Sequence, residues 1–200
     1  MLTSFPKEVS WDGPNATYRT PRLEDAPEIR VILSDLDNMK YLKFMTKPGG
    51  WTEEQVRERL GNQLKKQEEN QALVLHIIRD GKVVGMTGFT VIDLEHGHAE
   101  VGIILDKSCW GKNIATEAFY FSLKWIFEEV GIHRVQWVTT RPNVGMRGWL
   151  EKVCGLQPEA INKEVWRFDD QWVDQFCYAV LEDEWRNTVK GTLYSKIYKK

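Results

Sequence analysis

The spacing of apolar residues changes period along the chain, and each change marks an element. Val56, Leu60 and Leu64 recur four residues apart in an otherwise charged stretch, which predicts an amphipathic surface helix. Thr52 opens it, and Gln55 three residues on completes a capping box. The pattern then shortens. Residues 72–78 form a strand-like apolar run, Asp80-Gly81 is a hairpin signal, and 82–92 is a second strand. The turn at 94–97 leads into a third strand at 98–105, so a meander of antiparallel strands is expected. Helical spacing returns over 111–130, where Ala115, Ala118, Ser122, Ile126 and Val130 share a face and Gly131 supplies the stop. A strand at 134–140 follows, then a short helix from an Asn143 cap to Lys152 or Val153, ended by Gly155. Strands around 164–168 and 176–181 and a terminal helix over 182–200 complete the pattern.

The first part of the chain is less regular. Residues 1–16, with Pro6, Gly13, Pro14 and Asn15, read as an irregular arm, and 17–23 as a short edge strand because of Pro21. Residues 24–45 read as a helix broken around 34–38, and Lys47-Pro48-Gly49-Gly50 is a breaker. No repeat or long linker divides the chain, so one domain over 1–200 is expected. The strand–helix–strand unit over 98–140 implies a locally parallel pair within a mainly antiparallel sheet. Such a pair sets the helix N-terminus beside the C-terminal end of its strand, where ligands of α/β units sit.

Composition narrows the classes of function. A net charge of −2 gives no reason to expect a nucleic-acid or anionic-membrane partner, and the basic tail Lys196, Lys199 and Lys200 reads as a solvated chain end. Cys109, Cys154 and Cys177 are odd in number and at no metal-ligand spacing, which favours reduced thiols. The first residues lack the pattern of a signal peptide, and no apolar stretch approaches a membrane span, so a cytoplasmic protein is the expectation. The nine tryptophans are scattered and read as core and cleft fillers.

The segment richest in chemistry runs from Glu100 to Thr116. An apolar strand passes through a turn carrying Gly111, Asn113 and Ala115 straight into a helix. The unpaired N–H groups of a first helical turn and their dipole favour an anion, a diphosphate for example, and Lys112 adds charge.

Several runs of this sequence resemble the RimJ/RimL-type branch of the GNAT N-acetyltransferases. They are Ala99-Glu-Val-Gly-Ile, Trp110-Gly-Lys-Asn-Ile-Ala-Thr-Glu-Ala118, Phe127-Glu-Glu-Val-Gly-Ile-His-Arg-Val135 and Asn143, with Arg22-Leu-Glu-Asp-Ala26, Gly81-Lys-Val-Val-Gly85 and Leu181-Glu-Asp-Glu-Trp185 in order around them. The resemblance spans about residues 17 to 185. It implies an α+β, three-layer α/β/α fold with a splayed parallel strand pair, and acetyl-CoA as co-substrate without a metal. The family's turn, Arg/Gln-x-x-Gly-x-Gly/Ala, holds the cofactor pyrophosphate through backbone N–H groups. It maps onto Trp110, Gly111, Lys112, Asn113, Ile114 and Ala115, and Thr116 follows in the same cradle. Trp110 and Asn113 depart from the pattern, and Asn tolerates the positive φ such a turn needs. By the same resemblance Ile103, Ile104 and Leu105 face the pantetheine arm, and Asn143 steadies its acetyl end.

Acetyl transfer to an amine needs the neutral amine, so a base must take a proton. Glu100 is the candidate, at the place where related enzymes carry a Glu. His96 and His98 fall on its face by alternation if the strand begins early enough, and one of them could orient substrate; as a metal set the trio lacks a completing ligand. Cys109 abuts the turn without a partner base. The general acid is missing: where relatives carry Ser three residues after the Asn, this chain has Met146, and the following Gly155-Leu156 arrives one residue late. The expected acceptor is a small amine or a peptide N-terminus, with a non-catalytic acyl-CoA-binding protein as the alternative. Acids at Asp169, Asp170 and Asp174 would suit a cationic acceptor, and a homodimer is compatible with the sequence.

Overall fold

The computed structural model describes residues 4–199; positions 1–3 of the arm and Lys200 of the basic tail lie outside them. The strands are β1 (Ser10–Asp12), β2 (Thr17–Arg19), β3 (Leu73–Arg79), β4 (Lys82–Asp93), β5 (His98–Leu105), β6 (Arg134–Thr140), β7 (Ala160–Phe168) and β8 (Gln171–Leu181). They form one sheet in the order β1-β2-β3-β4-β5-β6-β8-β7. Among the described residues only β5 and β6 pair in parallel; every other pair is antiparallel. The expected meander is β3-β4-β5, turned at Asp80 and Gly81 with positive φ at both, the geometry of a two-residue hairpin.

Helices cover both faces. α1 (Ala26–Ser34) and α2 (Glu53–Glu68) bury Ile29, Leu33, Val56 and Leu60 against Val74, Met86 and Ile104 of the sheet. On the opposite face lie α3 (Ile114–Trp125), α4 (Val144–Lys152), the short α5 (Glu182–Glu184) and α6 (Lys190–Tyr198). Their Phe119, Leu123, Leu150 and Leu193 pack on Leu75, Val101, Val135 and Tyr178. Single π-type turns extend α3 (Ile126–Val130) and join α5 to α6 (Trp185–Val189), with the Phe127 and Trp185 rings stacked between them. The result is the expected α+β arrangement of helix layers around a mixed sheet. The capping box at α2 is present: Thr52 Oγ1 accepts from the Gln55 N–H and Gln55 Oε1 from the Thr52 N–H, both at 3.2 Å.

Four expectations need correction. β2 is no edge, because β1 lies within the arm and pairs with it. The helix read over 24–45 stops at Ser34, where Asp35 Oδ1 accepts from the backbone of Asp37 and Asn38 and turns the chain; beyond it only a 3-10 turn, Lys43–Met45, is helical. β7 and β8 begin before 164 and 176. Most of β7 faces solvent on both sides, so no apolar alternation announced it, and Lys163–Val165 bulge opposite Asp174. Finally, the arm is not irregular throughout: it carries β1 and is anchored on α3. The buried carboxylate of Glu117 on α3 accepts from the Asn15 and Ala16 N–H groups and the Tyr18 hydroxyl at 3.0–3.2 Å. Gly13 makes room for it, since a Cβ there would stand 2.1 Å from Glu117 Oε1.

Candidate active site

β5 and β6 share three rungs: His98 with Arg134, Ala99 with Val135 and Glu100 with Gln136. Beyond Glu100 they diverge, β6 continuing along β8 while β5 follows β4. The β6-facing backbone edge of β5 past Glu100 is therefore unpaired. The opening leads into a cavity of about 1000 Å³ bounded by β4, β5, β6, α2, α3, α4 and the segment between α1 and α2.

At one end of the opening the chain leaves β5 and enters α3 through the anticipated turn. Gly111 and Asn113 take left-handed conformations, φ 71° and 63°. Asn113 is the N-cap of α3, and its Nδ2 donates to the Lys196 carbonyl of α6 at 2.9 Å. Among the described residues, no backbone N–H from Gly111 to Thr116 finds an acceptor in the protein. Consecutive free donors at a helix start form an anion cradle, and they suit the two negative phosphates of coenzyme A. Trp110 contributes no charge; its Nε1 donates to the Leu105 carbonyl at 2.8 Å, which occupies one acceptor of the β5 edge.

Most of the expected site residues meet at this cavity. Glu100, Ile103, Ile104 and Leu105 line it from β5, and Trp110, Gly111, Asn113, Ile114, Ala115 and Thr116 from the turn and α3. Asn143 lines it from the start of α4, where its Oδ1 accepts from the Met146 N–H at 3.2 Å and its Nδ2 donates to Thr139 Oγ1 at 3.0 Å. The Thr116 hydroxyl is taken by Trp149 Nε1 at 3.1 Å, leaving that residue its backbone N–H. Lys112 does not line the cavity. The lysine that does is Lys40, from the segment after α1, with its ammonium 4.7 Å from the Trp110 ring centroid. No spacing in the sequence linked the two.

Glu100 sits at the last shared rung, half-buried, and its Oε2 accepts from Gln136 Nε2 at 3.0 Å. Ala99 and Val101 face the α3 side, so Glu100 projects to the face of α1 and α2. The histidines are elsewhere. His96 lies in the turn before β5, held by Asp93 through its backbone N–H and its Nδ1, both at 2.9 Å, and His98 Nδ1 stands 3.9 Å from the same carboxylate. His96 thus never joins the strand face. Those contacts, the backbone one foremost, hold the Asp93 carboxyl below the usual range. Cys109 and Cys154 are buried, and burial pushes the Cys154 thiol up to about 12.

On the α1/α2 face the cavity is walled by an aromatic pair: Phe44 stacks on Trp166 of β7, centroids 4.8 Å apart. Lys43 and Asp169 pair beside it. Asp174 is bound by Arg141 and the Glu164 N–H, and Asp170 lies 3.3 Å from Arg167. Each of the three acids thus has a cationic partner within the protein, while Asp169 and Asp170 stay exposed to solvent. Among the described residues no group of three or more side chains is placed to hold a metal, and no helix is long and apolar enough to cross a membrane.

A family model described as acetyltransferase (GNAT) domain matches residues 15–156. The chain belongs to the GNAT acetyltransferases. Among known relatives, an uncharacterized N-acetyltransferase p20 of Bacillus licheniformis is 24% identical over 172 residues, covering 84% of this chain and 94% of its own. YnaD of Bacillus subtilis (strain 168), also an uncharacterized N-acetyltransferase, is 28% identical over 163 residues, 81% of this chain and 91% of its own. Among solved structures, RimL, a ribosomal L7/L12 alpha-N-protein acetyltransferase in complex with coenzyme A, superposes with a TM-score of 0.74 over 86% of this chain and 97% of RimL; at 16% identity the likeness is one of fold. The protein is therefore an N-acetyltransferase on the GNAT fold, and the family's co-substrate is acetyl-CoA.

Proposed function

We propose that this enzyme is a cytoplasmic, RimJ/RimL-type GNAT that acetylates a primary amine by direct attack in a ternary complex, the acceptor being a small amine or a peptide N-terminus. The observation that carries the reading is the run of free N–H groups from Gly111 to Thr116 beside a strand opening that begins at Glu100. The turn holds the pyrophosphate, with Trp110 beneath Lys40 at its edge and Lys112 outside it. The free edge of β5 at Ile103, Ile104 and Leu105 meets the pantetheine, and Asn143 steadies the acetyl end. Acetyl-CoA supplies a thioester. The amine nitrogen attacks its carbonyl carbon, the C–S bond breaks, and the coenzyme leaves as a thiolate that takes up a proton. Glu100, reached directly or through one water, removes the proton from the incoming ammonium. Gln136 holds the carboxylate toward the acceptor side through its 3.0 Å hydrogen bond.

The test is incubation with acetyl-CoA and a panel of amines and short peptides, following free thiol release and acetylated product by mass spectrometry. Product with at least one amine, absent without enzyme, is expected. Thiol release without any acetylated amine would instead indicate hydrolysis and remove the reading.

A further inference from the structure

Arg59 and Gln63 lie one turn apart on α2, and both line the cavity on the side where Glu100 projects. Arg59 Nε and Gln63 Oε1 are buried, and neither has a hydrogen-bond partner among the described residues. Arg57 on the same helix shows the ordinary alternative: it is exposed and pairs with Glu53 at 2.8 Å. Arg59 has no such carboxylate among the described residues; its guanidinium carbon lies 5.8 Å from the centroid of the Trp51 ring. Burial pulls its pKa down, yet a guanidinium remains charged at any physiological pH. A partly desolvated cation without a counter-charge is costly, and so is a buried carbonyl without a donor. Both are relieved by an occupant that brings an anion to one and an N–H to the other.

The rest of the chamber narrows the occupant. On the α1/α2 face the lining is largely apolar or aromatic, with Met45, Val74, Met86 and the Phe44–Trp166 stack. The other cation, Lys40, stands over Trp110 at the coenzyme turn, and among the described residues Glu100 is the one acidic side chain in the lining. A polyamine would set its second positive charge in the chamber with Arg59. An amine that also carries a carboxylate turns one end to Glu100 and the other to the guanidinium fork, whose planar donors match a carboxylate two to one.

Building on the amine-transfer reading above, we infer that Arg59 is a specificity-determining residue that binds a carboxylate on the acceptor, with Gln63 Oε1 receiving an N–H of the same molecule. The acceptor is accordingly an amino-acid-like amine and not a polyamine.

The experiment compares matched acceptors: L-leucine with 3-methylbutylamine, which lacks only the carboxylate, and the amidated tripeptide Ser-Asp-Gly with Ser-Asn-Gly. The carboxylate-bearing member of a pair should have a kcat/KM higher by about 10-fold or more, the range for hydrogen bonds to a charged group. Preference within the first pair assigns the carboxylate to a free amino acid, and within the second to an acidic side chain behind a peptide N-terminus. Arg59→Met keeps the stem but not the charge. It should bring each ratio toward one through a higher KM for the carboxylate-bearing member, and Arg59→Lys should retain part of the preference. A second arm needs no turnover. 4-Methylpentanoate, leucine without its amine, is titrated calorimetrically into the coenzyme A complex, and should bind wild type at least about 10-fold more tightly than Arg59→Met. Equal rates within both pairs, or equal binding of 4-methylpentanoate by the two proteins, would overturn the inference while leaving amine acetylation intact. If no amine is acetylated at all, the transfer reading fails and the titration alone decides the role of Arg59.

Discussion

The ammonium of Lys40 stands 4.7 Å from the centroid of the Trp110 ring, whose indole N–H is fixed on the Leu105 carbonyl. The placement is enforced from both chain segments. Asn38 donates to Asp106 Oδ2 at 3.3 Å and accepts from the Lys107 N–H at 2.9 Å, which ties the stretch before Lys40 to the stretch before Trp110. A tryptophan that cannot itself meet a phosphate thereby holds a cation at the rim of the cradle. Lys40→Met should raise the Kd for coenzyme A by about 3- to 10-fold and flatten its salt dependence, whereas Lys112→Met should change it by less than about 2-fold. Calorimetry at two salt concentrations separates them. Equal losses in the two variants would mean that diffuse charge, and not the stacked lysine, serves the phosphates.

The cradle depends on Asn113 at φ 63°. Coenzyme A at about 100 times its Kd should stabilise the wild type by about 2.7 kcal/mol, some 5–10 °C in a chain of this size. Asn113→Pro removes an N–H and forbids positive φ, so its coenzyme-induced shift should vanish. Loss of the bond to Lys196 lowers that variant's own Tm, so the shift within each protein is the quantity to compare. Asn113→Gly tolerates the same φ and should keep most of the shift. An undiminished shift in the proline variant would place the pyrophosphate elsewhere.

Met146 donates its backbone N–H to Asn143 at the mouth of the cavity but offers no acidic proton for the departing thiolate. Met146→Ser should accelerate the chemical step in single-turnover experiments, where product release cannot mask it. An unchanged rate would indicate that water or another hydroxyl, such as the buried and unpartnered Thr140 Oγ1 in the same lining, already supplies the proton.

Away from the site, Asp25 is buried at the N-cap of α1. It accepts from Arg19 at 2.7 and 2.8 Å, from His76 Nδ1 at 2.6 Å and from the Arg22 N–H at 2.9 Å. Burial pushes its carboxyl up, but Arg19, His76 and the Arg22 N–H together outweigh that and hold it well below the usual range. A carboxyl depressed in the folded state stabilises fully above its unfolded pKa of about 3.9 and loses that contribution as pH falls toward the folded value. Asp25→Asn should cost about 3–5 kcal/mol at pH 7. The gap to wild type should narrow by about 1.4 kcal/mol per pH unit below about pH 4. Denaturant unfolding from pH 7 to pH 2.5 measures both, and a gap independent of pH would assign the loss to shape instead of charge.

What the sequence made legible was whatever is written locally. β5 and β6 fall where their apolar alternation put them, and Thr52-Gln55, Asp80-Gly81, Asn113 and Gly131 announced their turns because each carries its conformational reason in one or two residues. The site followed to the extent that it is built on those elements. Lys40 and Arg59 escaped notice because their roles arise from burial against distant segments, and a lysine or arginine on a helical or turn segment reads as a solvated charge until the fold removes its water. Glu117 escaped for the same reason: its partners are Asn15, Ala16 and Tyr18, far off in the chain. β7 was cut short because an edge strand with both faces in solvent has no hydrophobic period to read.

Glu100 carries the decisive chemical expectation. An ammonium has no lone pair with which to attack a thioester, so proton removal must precede or accompany attack, and Glu100 is the acid of the cavity lining on the acceptor face. Glu100→Gln preserves volume and a hydrogen bond to Gln136 while removing the charge. Turnover near neutral pH should fall by about 10²-fold or more, the contribution of a positioned base. Coenzyme A affinity should barely move, because the side chain projects away from the turn at Gly111–Thr116. The deficit should shrink as pH approaches the pKa of the acceptor amine, where free neutral amine becomes abundant and needs no base. Gln136→Leu, which leaves the carboxylate but removes its tether, should produce a smaller loss with the same pH trend. The measurement is a pH–rate profile of wild type and both variants with one acceptor. Full activity of Glu100→Gln at pH 7 would exclude it as the base and, since His96 and His98 stand by Asp93 outside the cavity lining, would leave proton removal to water.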